Sequence, residues 1–514
     1  MLRRTIATAR GKGLLMSDVA GVVDPAAVPP FTPRMFFAIF PSIMLPMFLA
    51  AIDGSIVATA LPAIAAAMGD VERVSWIVVA YLVAATIAAP VYGRLADVLG
   101  RRRMLLVSLW INLIAYGLAA MSTSVLMLIG ARLVQGAGGG GLMTLSHALI
   151  GETVPARQRG KFQGYNATIF VTASLLGPVA GGWLTQAWGW QSVFLVNVPL
   201  CLIALVLALR LKSRSAPAGR LHFDFLGTAL FALFIAPALL ALEQARHFSM
   251  AALGWATGFA GIAGVALVLL LRQERRVAFP LLPIAFLRQS AVWRTDAMAA
   301  CNGATLVSLI TFLPIYLAVS RGSTAGEVGL LMLPLTGLVA VGSLMTGRTI
   351  SRTGYTAIMP SIGMPIVAIL LAVMALMGPA LSLSQLPWLL GMLAMANGTA
   401  MPVVQITVQV LAGPNQLGAA AASVQFSRSI GAAAGTAIVG AVLFGTLAVM
   451  DADTAALFGQ IVQRGLGSLA NLPAERIALA RTEIDMAFRA AFLAMAGFAG
   501  ISAVLAWSLP LRRI

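Results

Sequence analysis

Charge is what this sequence has least of. Asp, Glu, Lys and Arg make up 10% of 514 residues, with 17 acids set against 34 basic residues, while apolar types reach 60%. Soluble domains average about 25% charged and about 45–50% apolar residues, so an ordinary soluble domain is excluded. Cysteine is nearly absent. Cys201 and Cys301 each lie in an apolar run and offer neither a disulfide framework nor a thiolate metal site. The short alternating segments of a membrane β-barrel are missing. No Gly-Lys-Ser/Thr follows any glycine run, so ATP-driven work would need a second subunit. Metal-ligand clusters, nucleophile motifs and paired acids at membrane depth are missing too, which speaks against an enzyme.

What the chain has in abundance is apolar segments of about 20 residues, each long enough to cross a hydrocarbon core of about 30 Å as an α-helix. They predict an all-α integral membrane protein with about 14 transmembrane helices, arranged as two six-helix bundles plus two extra helices. The expected spans are Phe37 to Met68, Val74 to Tyr92, Met104 to Ala120, Val125 to Ile150, Phe162 to Leu184 and Val193 to Leu211. The two extra spans are Phe225 to Leu242 and Leu253 to Leu271. Six more follow: Thr295 to Val319, Val328 to Gly347, Ala357 to Met377, Leu386 to Leu411, Gly418 to Met450 and Met486 to Leu509.

The domain plan is then a tail over 1–35, a first bundle over 36–211, a linker with the extra spans over 212–294, a second bundle over 295–510 and a short end over 511–514. Within the second bundle, 451–485 reads as a long outer connection, either a solvated link with an amphipathic turn or two or an element that docks a partner.

The formal net charge of +17 would suggest nucleic acid as a partner of a soluble protein. In a membrane protein it is explained by topology: about 25 of the 34 Lys and Arg fall on the side of the N-terminus. Both termini are expected in the cytoplasm, in a cell inner membrane, with the lipid bilayer and not nucleic acid as the partner. Met1 to Lys12 is basic and lacks the apolar core of a secretory signal.

Against this apolar background Asp53 stands out, inside the first span. A charge near the centre of a membrane helix costs about 2.5–3.5 kcal/mol on insertion scales and faces the protein interior or an aqueous path. Asp53 therefore either exchanges protons or substrate, or pairs with a cation to hold two helices together. Arg132 and Gln135 on the fourth span, ahead of a glycine run suited to close helix packing, are the polar groups to weigh beside it.

Four motifs carry a resemblance. Gly93-Arg94-Leu95-Ala96-Asp97-Val98-Leu99-Gly100-Arg101-Arg102-Arg103 looks like the signature loop of the major facilitator superfamily, with Val98 where a basic residue is common; Gly347 to Gly354 is its degraded counterpart. Leu128 to Gly141 resembles the superfamily's span-4 motif. Ala173-Ser174-Leu175-Leu176-Gly177-Pro178-Val179-Ala180-Gly181-Gly182 is similar to the motif associated with antiporters, with Ala173 in place of its first glycine. Ile52 to Pro62 looks like the span-1 motif of the 14-helix drug:proton antiporter branch.

The resemblance implies proton-coupled efflux of hydrophobic small molecules by alternating access, driven by the proton gradient with no cofactor and no metal. Asp53 would exchange the proton and Arg132 would bias it. The loop with Gly93, Asp97, Gly100 and Arg101 would latch the inner gate, and Gly177, Pro178, Gly181 and Gly182 would form the antiporter-type helix face. Gln135, Arg428, Asn302 and Gln405 are polar groups that line a cavity or pair helices. His147 reads as a packing residue, and Asp296 as a surface partner of Arg294. The two extra spans are expected outside the transport core. In a double-membrane bacterium, a periplasmic adaptor protein with its outer-membrane channel is a candidate partner. Alternatives are a carrier of one metabolite and a non-transporting receptor or scaffold on the same fold.

Overall fold

The computed structural model describes residues 33–69, 73–211, 223–244, 250–277, 280–281, 284–464 and 474–513. Most of the expected tail, the linker 212–220 and the middle of the outer connection lie outside them. The chain parts into two compact units at Phe40. The described part of the first is the start of helix Pro33–Met68; the second, Pro41–Ile514, holds everything below.

The protein is all-α, and among the described residues 14 helices are long and apolar enough to cross a membrane. Spans 1 to 6 are Phe40–Met68, Ser75–Leu99, Arg101–Ala120, Val125–Thr153, Gln158–Trp188 and Ser192–Leu209. Spans 7 and 8 are Phe225–Gln244 and Gly254–Glu274. Spans 9 to 14 are Ser290–Val319, Gly326–Thr353, Ile358–Ala380, Leu386–Ala412, Leu417–Met450 and Leu479–Trp507. Helical form follows from the solvent: with no water to satisfy backbone N–H and C=O groups, each segment must satisfy them internally.

Packing within the first six spans recurs in the last six, shifted by eight. Span 2 packs on span 4 as span 10 does on span 12, and span 3 on span 6 as span 11 does on span 14. Span 1 meets span 5, where Ser55 Oγ donates to the Ala173 carbonyl at 3.1 Å, as span 9 meets span 13. The halves meet along two seams, span 2 with span 13 and span 5 with span 10. Small residues permit both: a Cβ on Gly160 would lie 2.4 Å from the Gly347 oxygen.

The two extra spans differ in what they touch. Span 7 lies against both halves. It packs on spans 2 and 13, with Phe231 and Phe426 rings 5.3 Å apart, and Ile235 and Leu239 buried beside Val83. It thus covers one seam, because its apolar residues find partners on both halves. Span 8 packs on span 7 and leaves Trp255, Val265 and Val268 exposed, as a lipid-facing helix does.

The outer connection is also more ordered than a loop. Helix Ala452–Arg464 follows span 13 directly, and the last helix starts at Ala474 instead of Met486. Phe458 is fully buried against Phe444 and Phe488, with ring centroids 5.3 and 6.0 Å away. Asp451 accepts from Arg476 Nη2 at 2.6 Å and from Thr454 Oγ1 at 2.9 Å.

Candidate functional site

Arg132 and Gln135 are three residues apart on span 4, and so share a helix face. That face meets Asp53 on span 1. Arg132 Nη1 donates to Asp53 Oδ2 at 2.6 Å and to Gln135 Oε1 at 2.8 Å, while Gln135 Nε2 donates to Asp53 Oδ1 at 2.5 Å. Arg132 Nε reaches the Ile77 carbonyl at 3.2 Å, and its guanidinium carbon sits 4.4 Å from the centre of the Tyr81 ring. None of the three side chains is more than 1% exposed.

This closed ring of bonds satisfies both carboxylate oxygens. Breaking a buried ion pair by removing one partner costs about 3–5 kcal/mol, because the other charge is left uncompensated. Glycines let span 4 sit close enough: a Cβ on Gly136 would lie 2.4 Å from the Tyr81 oxygen, and one on Gly140 2.2 Å from that of Ala85.

A second cluster lies where span 2 ends. Gly100 turns the chain into span 3 with φ of 95°, a conformation that favours glycine. Asp97 accepts from Arg101 Nη2 at 3.0 Å and, across the seam, from the backbone N–H groups of Gly418 and Ala419 at 3.0 and 3.1 Å. These amides open span 13, so the carboxylate caps a helix N-terminus contributed by the other half, where the dipole favours an anion. Arg101 also binds Glu152 at 2.7 Å and the Pro414 carbonyl at 2.9 Å. Both seams are in contact at this end.

The span-5 motif divides by face. A Cβ on Gly177 would lie 2.0 Å from Ser55 Oγ, and one on Gly181 2.2 Å from Thr59 Oγ1, so these two let span 1 lie against span 5. Gly182 faces open space, and Pro178 is exposed within an unbroken helix.

Between the halves lies a cavity of about 250 Å³ with His147, Asn166, Phe170, Asn302, Asn397 and Arg428 in its wall. Asn302 Nδ2 donates to Asn397 Oδ1 at 2.7 Å where span 12 lapses from α-helix at Gly398 and Thr399. Gln405 is buried outside this wall, with neither amide atom hydrogen-bonded. Asp53, Arg132 and Gln135 also stand outside it.

Asp296 corrects an expectation. It is buried, with Ser423 Oγ at 3.4 Å, while Arg294 donates to the Ser508 carbonyl. Residues two apart on a helix point to different faces, so nearness in sequence misleads here. Sequence reasoning also missed Tyr81, Glu152, Phe170, Gln425 and the Gly418 amide. Of these, only Glu152 carried a signal, as one of few acids and at the end of span 4.

Known proteins share this arrangement. The sequence model of the Major Facilitator Superfamily matches residues 43–436. An uncharacterized MFS-type transporter of Mycobacterium tuberculosis is 32% identical over 78% of this chain, and the match spans 59% of that relative's length. The multidrug transporter protein MdtP of Bacillus subtilis is 30% identical over 78% of this chain and 74% of its own. Among solved structures, the human organic anion transporter MFSD10 superposes with a TM-score of 0.63 over 93% of this chain and all of its own; at 15% identity it speaks for the fold alone. With the 14 spans, the eight-span repeat and the two seams, the chain belongs to the major facilitator superfamily and is a multi-pass membrane protein of that family.

Proposed function

We propose that the protein exports hydrophobic small molecules across a cell inner membrane in exchange for protons, with both termini in the cytoplasm. The observation that carries the reading is the Asp53–Arg132–Gln135 ring, a titratable carboxylate sealed from water between two helices of one half. In this reading the Asp53–Arg132 contact breaks and re-forms as the helices move, and the proton is exchanged at Asp53 in that cycle. Asp97 on the N-terminus of span 13 holds the cytoplasmic end shut in the present state, and its release opens that end to substrate. The names of relatives such as MdtP support a multidrug range. A periplasmic adaptor would meet the outer end, where helix Ala452–Arg464 is anchored.

Proteoliposomes under an imposed pH gradient test the reading. Wild-type protein is expected to move a hydrophobic drug uphill and to carry protons the other way. Asp53→Asn keeps size and hydrogen bonding but cannot titrate, so it is expected to abolish gradient-driven movement while still binding drug. Asp53→Glu is expected to retain part of the activity. Uphill transport with normal proton uptake by Asp53→Asn sinks the assignment.

A further inference from the structure

Among the described residues, the one formal charge in the wall of the central cavity is positive. Arg428, on span 13, stands there among apolar and neutral polar side chains, and no carboxylate of the described residues lines the space. A guanidinium has five N–H donors. Arg428 uses one hydrogen bond, from Nη2 to Gln425 Oε1 at 3.2 Å, and its Nε is buried without a partner. Its charged carbon lies 5.6 Å from the centre of the Phe170 ring, which also borders the cavity. Among the described residues it makes no ion pair.

The buried acids have contacts elsewhere. Asp53 is closed on Arg132 and Gln135, and Asp97 on Arg101 and span 13. Asp296 rests against Ser423. Glu243 borders an adjoining cavity that Arg428 also touches, and has an interaction of its own. The remaining polar groups of the central wall, such as the Asn302–Asn397 pair, are neutral amides that can donate or accept. Around them stand Val171, Leu306, Val307 and Ile310.

We propose that the central cavity selects amphiphilic organic anions, such as aromatic carboxylates or sulfonates, with the anionic head on the Arg428 guanidinium and the apolar body against Phe170, Leu306 and Ile310. A planar guanidinium donates two parallel bonds to a carboxylate or sulfonate. A cation in the same space meets an unpaired positive charge across a wall of low dielectric, and is rejected by the interaction that draws the anion. This inference rests on the efflux reading for the identity of the cavity as the substrate site and adds the sign of the substrate's charge.

The test is equilibrium binding to the full-length protein in zwitterionic-lipid nanodiscs, with empty nanodiscs as the partition control. The probes are pyrenesulfonate and pyrenylmethylammonium, which share an aromatic body and differ in the charge of the head. Wild type is expected to bind the sulfonate saturably and at least about tenfold more tightly than the ammonium. Arg428→Gln is expected to lose that preference and Arg428→Lys to keep most of it. Equal or tighter binding of the ammonium by wild type, no saturable sulfonate binding, or a preference that survives in folded Arg428→Gln overturns the proposal. If Arg428→Gln does not fold, wild type and Arg428→Lys decide. The measurement uses no gradient, so a missing charge preference leaves proton coupling at Asp53 standing, and failed coupling leaves the preference measurable.

Discussion

Gly93 and Gly418 face each other across the seam of spans 2 and 13 so closely that a Cβ on Gly93 would lie 2.5 Å from the Gly418 oxygen, and one on Gly418 2.1 Å from the Gly93 oxygen. Both obstacles are backbone, which cannot swing aside.

Gly93→Ala is therefore expected to wedge this seam apart and lengthen the bonds from Asp97 to the span-13 amides. Maleimide labelling of a cysteine placed at Ala419 should become severalfold faster than in the Gly93 parent. Unchanged labelling would mean that the seam does not govern access.

Substitution on span 5 should sort by face. Gly177→Ala puts a methyl into Ser55, and overpacking of this kind costs about 1–3 kcal/mol. Gly182→Ala meets nothing within 4 Å and should be close to neutral. Thermal unfolding of the two purified variants checks this; equal losses would show that spans 1 and 5 adjust more freely than their contact suggests.

Where span 13 ends, Arg476 holds the Asp451 carboxyl below its usual range, helped by Thr454 and the Asp453 amide. A carboxylate depressed in the folded state contributes stability above its unfolded value and loses it as pH falls through the folded one. The difference in melting temperature between wild type and Asp451→Asn should thus be present at neutral pH, begin to shrink only as the pH falls to about 4, and close as it passes through the lower value of the folded state. A difference that persists in acid would assign the effect to something other than this charge.

Helix Ala452–Arg464 should depend more on packing than on that half-buried pair. Phe458→Ala removes a fully buried ring from a cluster with Phe444 and Phe488 and is expected to cost about 3 kcal/mol. Limited proteolysis should then cut within this helix. Resistance equal to wild type would indicate that the helix is held by its ends alone.

Much of the architecture was legible because it follows from solvent alone. Apolar runs of membrane-spanning length fix the number and order of the helices, and Asp53 announced itself as a carboxylate where lipid tolerates none. Its surroundings were less visible. Gln135 could be suspected from the helical spacing to Arg132, but Tyr81 is an ordinary aromatic in an apolar run until span 2 is laid beside span 4. The cap that Asp97 places on Gly418 joins positions 321 residues apart, and no local pattern encodes that distance. In the stretch after Met450 the mixed charges suited a solvated link with an amphipathic turn or a docking element alike, and no local pattern showed that helix Ala452–Arg464 would bury Phe458 against Phe444 and Phe488.

The eight-span offset between equivalent helices constrains how such a chain can grow. Eight is even, so spans 1 and 9 run in the same direction, and Asp97 and Gly418 emerge at the same face of the bilayer, as do Gly160 and Gly347. A single inserted helix would have turned everything after it upside down and parted both pairs by the thickness of the membrane. Spans 7 and 8 are thus the smallest insertion between the halves that preserves polarity, and neither could have been gained, or can now be deleted, without the other.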